Sequence, residues 1–201
     1  MAFLSQHLLT CIARVATAIY DKGQEFELIP VNLTTGEHKQ PGFLAKNPFA
    51  QIPALEDGDL TLFDNHHIRE LHNNLKEAAL VKVWSEVESQ TFHPVISTIV
   101  HQHLILPLFG QQPDQAVIDA NLEKLKNILD VYDSRLKSSK YLAGDFFSIA
   151  DLNHFPYLFY FMRSPWTLVV NDRPHVKAWW EDISSRPSFK KVAEGMALGP
   201  K

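Results

Sequence analysis

The chain has 201 residues, which is enough for one or two domains with a sizeable core. Its 19 Lys and Arg against 23 Asp and Glu give a net charge of −4, and no stretch concentrates the basic residues, so nucleic acid is not an expected partner. A hydrophobic content of 45% and a charged content of 21% are typical of a folded globular chain and exclude the disordered and fibrous classes.

The first part of the chain has the pattern of a small mixed α/β unit. Residues 4–19 are largely apolar and predict an amphipathic helix that stops at Lys22-Gly23. Its apolar stripe has the spacing i, i+3, i+4 and i+7, in Ile12, Val15, Ala16 and Ile19. Alternating apolar residues predict a strand over 26–33. Two short apolar runs, 52–55 and 59–63, flank Glu56-Asp57-Gly58 and predict a β-hairpin. The first half therefore combines a helix with short strands.

From Leu75 onward the periodicity becomes helical throughout. One helix is predicted from the spacing of Leu75, Ala78, Ala79 and Val83, and a longer bundle helix from Ile118, Leu122, Leu125, Leu129, Tyr132 and Leu136. Ser148-Ile149-Ala150-Asp151 has the pattern of a capping box, and Pro174 and Pro187 fit the first turns of two further helices. We therefore expect two domains, 1–73 and 74–201, the second all-helical.

Cysteine usage and the N-terminus predict a cytoplasmic protein. The single cysteine, Cys11, forms neither an internal disulfide nor a cysteine zinc site, which favours a reducing compartment. No positive charge precedes Arg14, so the pattern of a signal peptide is missing. No uncharged apolar run approaches the roughly 18 residues of a membrane span, so no membrane partner is expected.

Five short sequence words occur in the order in which one family carries them. They are Gly36-Glu37-His38-Lys39, the stretch 47–59 (NPFAQIPALEDGD), the stretch 75–80 (LKEAAL), Leu142-Ala143-Gly144-Asp145, and the stretch 173–180 (RPHVKAWW). With them the chain resembles the plant phi class of cytosolic glutathione S-transferases over nearly its whole length. The resemblance implies a thioredoxin-like N-terminal domain that binds glutathione, a C-terminal helical bundle, glutathione as cosubstrate, no metal, and a role in detoxification or specialised metabolism.

The resemblance also implies a set of glutathione-binding residues. Pro53 is expected to follow a cis peptide bond, so that the backbone of Ile52 pairs with the peptide ligand as a strand would. Gln51 would lie beside the ligand, and His38 and Lys39 would donate to the carboxylate at its glycine end. Asp64 and Asn65 stand where phi-class members usually have Glu-Ser, and they would hold the γ-glutamyl amine and carboxylate.

Three departures from the family pattern fall on the same half of this site: Leu9, the pair Asp64-Asn65 in place of Glu-Ser, and a gap after Ile68. Leu9 aligns with the serine whose hydroxyl stabilises the glutathione thiolate, and a leucine cannot donate, so Thr10 or the helix N-terminus would have to replace it. Cys11 lies two residues after the position of the catalytic cysteine in some relatives and is expected to be structural. After Ile68 roughly a dozen residues of the family pattern are missing.

A metal site is not expected at the histidines near this gap. His66 and His67 are adjacent and would point in different directions, and no carboxylate or cysteine completes a ligand set with His72.

Three functions remain open from the sequence. The first is transfer of the glutathione sulfur to a small hydrophobic electrophile, with reduced or altered activity. The second is a non-catalytic carrier of hydrophobic plant metabolites. The third is a glutathione-independent isomerisation or cyclisation that uses His7, His66, His67 or Thr10 as acid or base. Candidate residues for the hydrophobic pocket are His101, Leu104, Leu108, Phe109, Phe159 and Trp166.

The resemblance further implies a homodimer. In this family the small domain of one chain pairs with the bundle of the other. Phe49 follows Asn47-Pro48 in a loop, and it is the aromatic residue expected to anchor that contact.

Overall fold

The computed structural model describes residues 10–63 and 74–196, which form two compact units. The described part of the first unit is 10–63 together with 187–196, and that of the second is 74–186. The predicted domain boundary at residue 73 lies outside the described residues and stays a prediction. None of the described helices is long and apolar enough to cross a membrane.

The first unit has three helices, a one-turn 3-10 helix and a two-stranded sheet among its described residues. The elements are α1 (Thr10–Asp21), the 3-10 helix (Glu37–Lys39), α2 (Pro41–Leu44), β1 (Ala54–Asp57), β2 (Leu60–Phe63) and α11 (Pro187–Met196).

Helix α1 ends where the sequence predicts, at a glycine in the left-handed region. Gly23 has φ +67°, its amide donates to the carbonyl of Tyr20, and the amide of Gln24 donates to the carbonyl of Ile19. These two bonds form a Schellman motif, which satisfies carbonyls that the helix leaves unpaired. Helix α11 packs against α1, where the Ser188 hydroxyl donates to Asp21 over 3.0 Å.

The predicted hairpin is confirmed with a shift of its turn. Strands β1 and β2 pair antiparallel with Ala54 opposite Phe63, and Gly58 and Asp59 form the two-residue turn. Gly58 has φ +61°, the left-handed conformation that a tight hairpin needs at this position. The ladder begins after Pro53, because proline has no amide hydrogen to donate to a neighbouring strand.

The strand expected over residues 26–33 is not present. This segment is irregular and has no ladder partner among the described residues, and Leu28 and Ile29 are exposed. Alternation of apolar residues indicates which side chains share a face, but a strand also needs a neighbour to accept its hydrogen bonds.

The described part of the second unit consists of helices and the loops between them, without a strand. Its helices are α3 (Leu75–Val87), α4 (His93–Val100), α5 (Leu106–Leu108), α6 (Gln115–Leu136), α7 (Ile149–Leu152), α8 (Phe155–Phe161), α9 (Leu168–Asn171) and α10 (Pro174–Ser185). Two π-helical turns, Glu88–Phe92 and His101–Ile105, join α3, α4 and α5. Helix α6 packs against α4 and α10, and all six residues of its predicted stripe are buried.

The stripe predicted for α3 points away from the core. Leu75 is 87% exposed and Val83 is 54% exposed, whereas Val81 is buried. Helix α3 packs against α7. The predicted helix is confirmed, and it has apolar residues on more than one side, so the residues that mark it in the sequence are not the ones it buries.

Candidate functional site

A turn over residues 47–53 is fixed by one buried amide side chain. Asn47 is 2% exposed, and its Nδ2 donates to the carbonyl of Gln51 over 2.7 Å. Its Oδ1 accepts from the amide of Phe49 over 3.0 Å, and its own carbonyl accepts from the amide of Ala50. One residue therefore holds three others of the turn through polar contacts.

The end of this turn leaves a backbone edge open. The Ile52-Pro53 peptide bond is cis, as the family resemblance implies. The amide and carbonyl of Ile52 form no hydrogen bond with any part of the chain that the structure describes. Gln51 is exposed beside them. An extended ligand can therefore bond to Ile52 as a neighbouring strand would.

His38 and Lys39 lie on the 3-10 helix that follows Gly36, which has φ +75°. The Lys39 side chain is exposed and forms no ion pair within the described residues. His38 is half-buried, and its Nδ1 is buried without a hydrogen-bond partner. Both side chains are donors suited to a carboxylate, although no hydrogen bond among the described residues joins them to the 47–53 turn.

The sequence candidates around the sulfur position are only partly described. Thr10 is buried and is the first residue of α1. Leu9, Asp64 and Asn65 lie outside the described residues, as do the histidines His66, His67 and His72. Within the described ranges, no cluster of three His, Cys, Asp or Glu side chains is placed to hold a metal ion.

The proposed pocket residues are all on the second unit but differ in exposure. Phe109 is 71% exposed, and Leu108 and His101 are exposed as well. Leu104 and Trp166 are half-buried, and Phe159 is buried with its ring beside those of Phe155 and Tyr160.

His103 is not among the pocket candidates, and its ring lies 4.9 Å from that of Trp166. The spacing His101-x-His103 predicts two surface histidines that face different ways; His101 is exposed, whereas His103 is half-buried.

A cavity of about 530 Å³ lies within the first unit and was not expected from the sequence. It is bounded by α1, by the irregular segment and by the start of β1, with lining residues that include Val15, Ile19, Phe26, Ile29, Pro53 and Leu55. Its volume would suit a small molecule. No site is assigned to it, because nothing among the described residues shows what covers it.

Two family models match the chain in tandem. Residues 6–70 match the N-terminal domain of glutathione S-transferases, and residues 91–187 match the C-terminal domain. The chain belongs to the glutathione S-transferase family. It is 47% identical over 214 residues to glutathione S-transferase F13 of Arabidopsis thaliana, covering all of this chain and 98% of that one. The stretch that matches the N-terminal domain model, residues 6–70, contains both the 47–53 turn and the 3-10 helix.

Solved structures of this family agree in fold over nearly the whole chain. Glutathione transferase F7 from Populus trichocarpa is 57% identical and superposes with a TM-score of 0.88, covering 95% of this chain and 96% of that one. Glutathione S-transferase I from maize, solved in complex with an atrazine glutathione conjugate, is 43% identical with a TM-score of 0.91 and 96% coverage of both chains. The resemblance to the plant phi class and the thioredoxin-like and helical architecture are thereby confirmed.

Proposed function

We propose that this protein binds glutathione at the 47–53 turn and the 3-10 helix and transfers its sulfur to small hydrophobic electrophiles. The open backbone edge of Ile52 carries the proposal, since it offers one donor and one acceptor to the backbone of a tripeptide. The complex of the maize relative with a glutathione conjugate supports the same ligand here.

The charged end of glutathione has its own proposed partners. His38 and Lys39 would donate to the glycine carboxylate, and the exposed, unpaired ammonium of Lys39 can reach a ligand without breaking an ion pair among the described residues. A hydrogen bond to a charged group contributes about 1.5–3 kcal/mol. From the sequence, Asp64 and Asn65 remain the proposed partners of the γ-glutamyl end.

The reaction needs the glutathione thiol in its ionised form. The thiol gives its proton to water, the sulfur attacks an electrophilic carbon, a carbon–sulfur bond forms, and the leaving group departs with its bonding electrons. Leu9 stands at the family's serine position and cannot donate to the thiolate. Burial without a donor disfavours the anion, so we propose a slow reaction at neutral pH, with Thr10 as the candidate substitute donor.

The electrophile is proposed to contact the apolar side chains of the second unit. Leu108 and Phe109 are exposed, and Leu104 and Trp166 are partly so, which leaves apolar area for a hydrophobic compound. His101 is a polar neighbour on the same helical segment. Phe159 is buried, so its proposed part is indirect: its ring packs beside the rings of Phe155 and Tyr160.

We also propose that the protein is a homodimer. Phe49 is 71% exposed, and its ring lies 6.0 Å from that of Phe63, so the two form a small aromatic patch on the first unit. An exposed aromatic side chain of this kind is typical of the anchor residues of protein interfaces.

The test combines binding and turnover. Calorimetric titration with glutathione is paired with an aryl-halide conjugation assay on the wild type, Leu9→Ser and the matched control Leu9→Ala. A hydrogen bond to an anion is worth about 1.5–3 kcal/mol, so Leu9→Ser should raise conjugation at pH 7 by at least about tenfold. Leu9→Ala removes the same bulk without adding a donor, and it should show no such gain.

The outcomes separate the candidate functions. Glutathione binding together with a gain specific to Leu9→Ser supports the proposal. Binding without turnover in either Leu9 variant would favour the carrier of hydrophobic metabolites. Absence of glutathione binding in the wild type would refute the proposal and leave a glutathione-independent reaction to be screened.

A further inference from the structure

We propose that Asn47 and Ala50 form a coupled pair of positioning residues that sets the direction of the Ile52 backbone toward glutathione. The inference rests on the proposed function, because it concerns how the binding turn is held in shape. It goes beyond it by assigning roles to two residues that need not contact the ligand.

Ala50 has an unusual backbone conformation. Its φ is +55°, and it is the one non-glycine residue with positive φ among the described residues. In this region the Cβ atom approaches the backbone too closely, and alanine lacks the polar side chain with which asparagine or aspartate offsets that strain. A strained conformation of this kind persists only where its surroundings impose it.

Asn47 supplies those surroundings. Its side chain and carbonyl bond to the residues on both sides of Ala50 and to Ala50 itself, namely Phe49, Gln51 and Ala50. Because Asn47 is buried, water does not readily replace a lost contact. The amide Nδ2 bond to the Gln51 carbonyl spans the strained residue and opposes its return to negative φ.

The consequence concerns Ile52. If Ala50 relaxed to negative φ, the peptide planes that follow would rotate, and the amide and carbonyl of Ile52 would turn away from their present direction. Hydrogen bonds weaken steeply with such misalignment. The three hydrogen bonds of Asn47 to Phe49, Ala50 and Gln51, called the Asn47 clamp below, should therefore contribute to glutathione affinity and not only to the stability of the fold.

The experiment is a double-mutant cycle of Asn47→Asp and Ala50→Gly, read by glutathione calorimetry and by KM for glutathione and for an aryl halide. Asn47→Asp keeps the shape and the acceptor for the Phe49 amide, but places an oxygen against the Gln51 carbonyl. Glycine accepts positive φ without strain, so the turn no longer needs the clamp in the A50G background.

We expect Asn47→Asp to weaken glutathione binding by roughly tenfold in the Ala50 background and by less than about threefold in the A50G background. The KM for the aryl halide should stay within about twofold throughout. The matched control is Asn121→Asp on α6, which loses a similar contact, from Nδ2 to the carbonyl of Val117 over 2.8 Å. That variant should leave glutathione affinity unchanged.

Each outcome decides the inference. Equal binding by the wild type and Asn47→Asp overturns it while leaving the proposed function intact, and equal losses in both backgrounds overturn the coupling to Ala50. A wild type that binds no glutathione overturns the proposed function and this inference together. If Asn47→Asp alone does not fold, the inference requires that the double variant does. If neither variant folds, the coupling between Asn47 and Ala50 is refuted.

Discussion

Replacing Asp151 should strongly destabilise the second unit. Its carboxylate is fully buried and accepts hydrogen bonds from four groups: the amides of Leu142 and Ser148, the Ser148 hydroxyl and the indole of Trp179. These donors come from the loop before α7, from the N-terminus of α7 and from α10. One side chain therefore joins three separate segments.

The magnitude follows from the donors that a substitution leaves unpaired. Asp151→Ala would leave two amides and an indole N–H buried without acceptors, at about 1–3 kcal/mol each. The loss of about 3–9 kcal/mol is comparable with the 5–15 kcal/mol that stabilises a typical domain, so this variant should fold poorly. Asp151→Asn keeps the shape and one acceptor, and it should cost about 2–3 kcal/mol at pH 7.

The pH dependence of this loss is a second readout. Burial raises the pKa of the Asp151 carboxyl to about 6, although its hydrogen bonds lower it. The unfolded chain has a pKa of about 3.9, so the folded state binds the proton more tightly. The free energy of unfolding should therefore decrease as the pH rises from about 4 to about 6, by roughly 3 kcal/mol, and stay constant above. Asp151→Asn does not titrate, so the advantage of the wild type over this variant should be larger at pH 4.5 than at pH 7.

Urea unfolding followed by tryptophan fluorescence measures both effects, and Trp179 is itself one of the donors. The matched control is Asp145→Asn, since Asp145 is exposed and accepts from the amide of Lys140 over 3.0 Å. The control should change stability by less than about 0.5 kcal/mol. The reasoning is refuted if the free energy of unfolding of Asp151→Asn lies within about 0.5 kcal/mol of the wild-type value at pH 7. Parallel pH profiles of the two proteins would refute it as well.

Three further predictions concern the first unit. Ala50→Gly should raise the free energy of unfolding by about 1 kcal/mol in urea unfolding, because glycine relieves the left-handed strain, whereas Ala45→Gly in the right-handed region should lower it. A decrease in Ala50→Gly would contradict the strain. Lys39→Ala should raise KM for glutathione by roughly tenfold with little change in kcat, and the control Lys46→Ala, which loses only an exposed ion pair with Glu56, should not. If Lys39→Ala and Lys46→Ala had the same KM for glutathione, Lys39 would not be a glutathione-binding residue. Phe49→Ala should weaken the dimer by at least about tenfold in sedimentation equilibrium, and a wild type that sediments as a monomer at micromolar concentration would exclude the anchor role.

A repeated pattern predicts an element of this fold well when it is long, as in α6, and poorly when it is short, as in the alternation over 26–33. The α6 stripe is confirmed at all six positions, since a repeat over 22 residues averages out local exceptions. The spacing of Leu75 and Val83 predicts helix α3 correctly, but both side chains are exposed and the buried Val81 lies on another side. Periodicity identifies residues that share a face, but only packing decides which face is buried.

Short sequence motifs predict the residues of the candidate site but not its geometry. The resemblance implies the cis bond before Pro53, and the structure confirms it. The roles of His38, Lys39 and Gln51 stay predictions. Nothing in the sequence predicts the positive φ of Ala50, since alanine rarely adopts that conformation.

In each unit a single buried polar side chain holds a local part of the backbone in place. Asn47 holds a turn in the first unit and Asp151 joins three segments in the second, and each satisfies several backbone groups at once. A single residue has no period, and asparagine and aspartate are mostly exposed in proteins, so composition alone points to the surface for both. The capping-box pattern of Ser148-Ile149-Ala150-Asp151 does predict Asp151 at the start of α7, and the structure confirms it. Their burial follows from the backbone donors and acceptors around them, which must be paired once water is excluded. Substituting such a residue therefore perturbs a whole turn or helix end, whereas substituting an exposed apolar residue such as Leu75 should change little beyond its own contact with water.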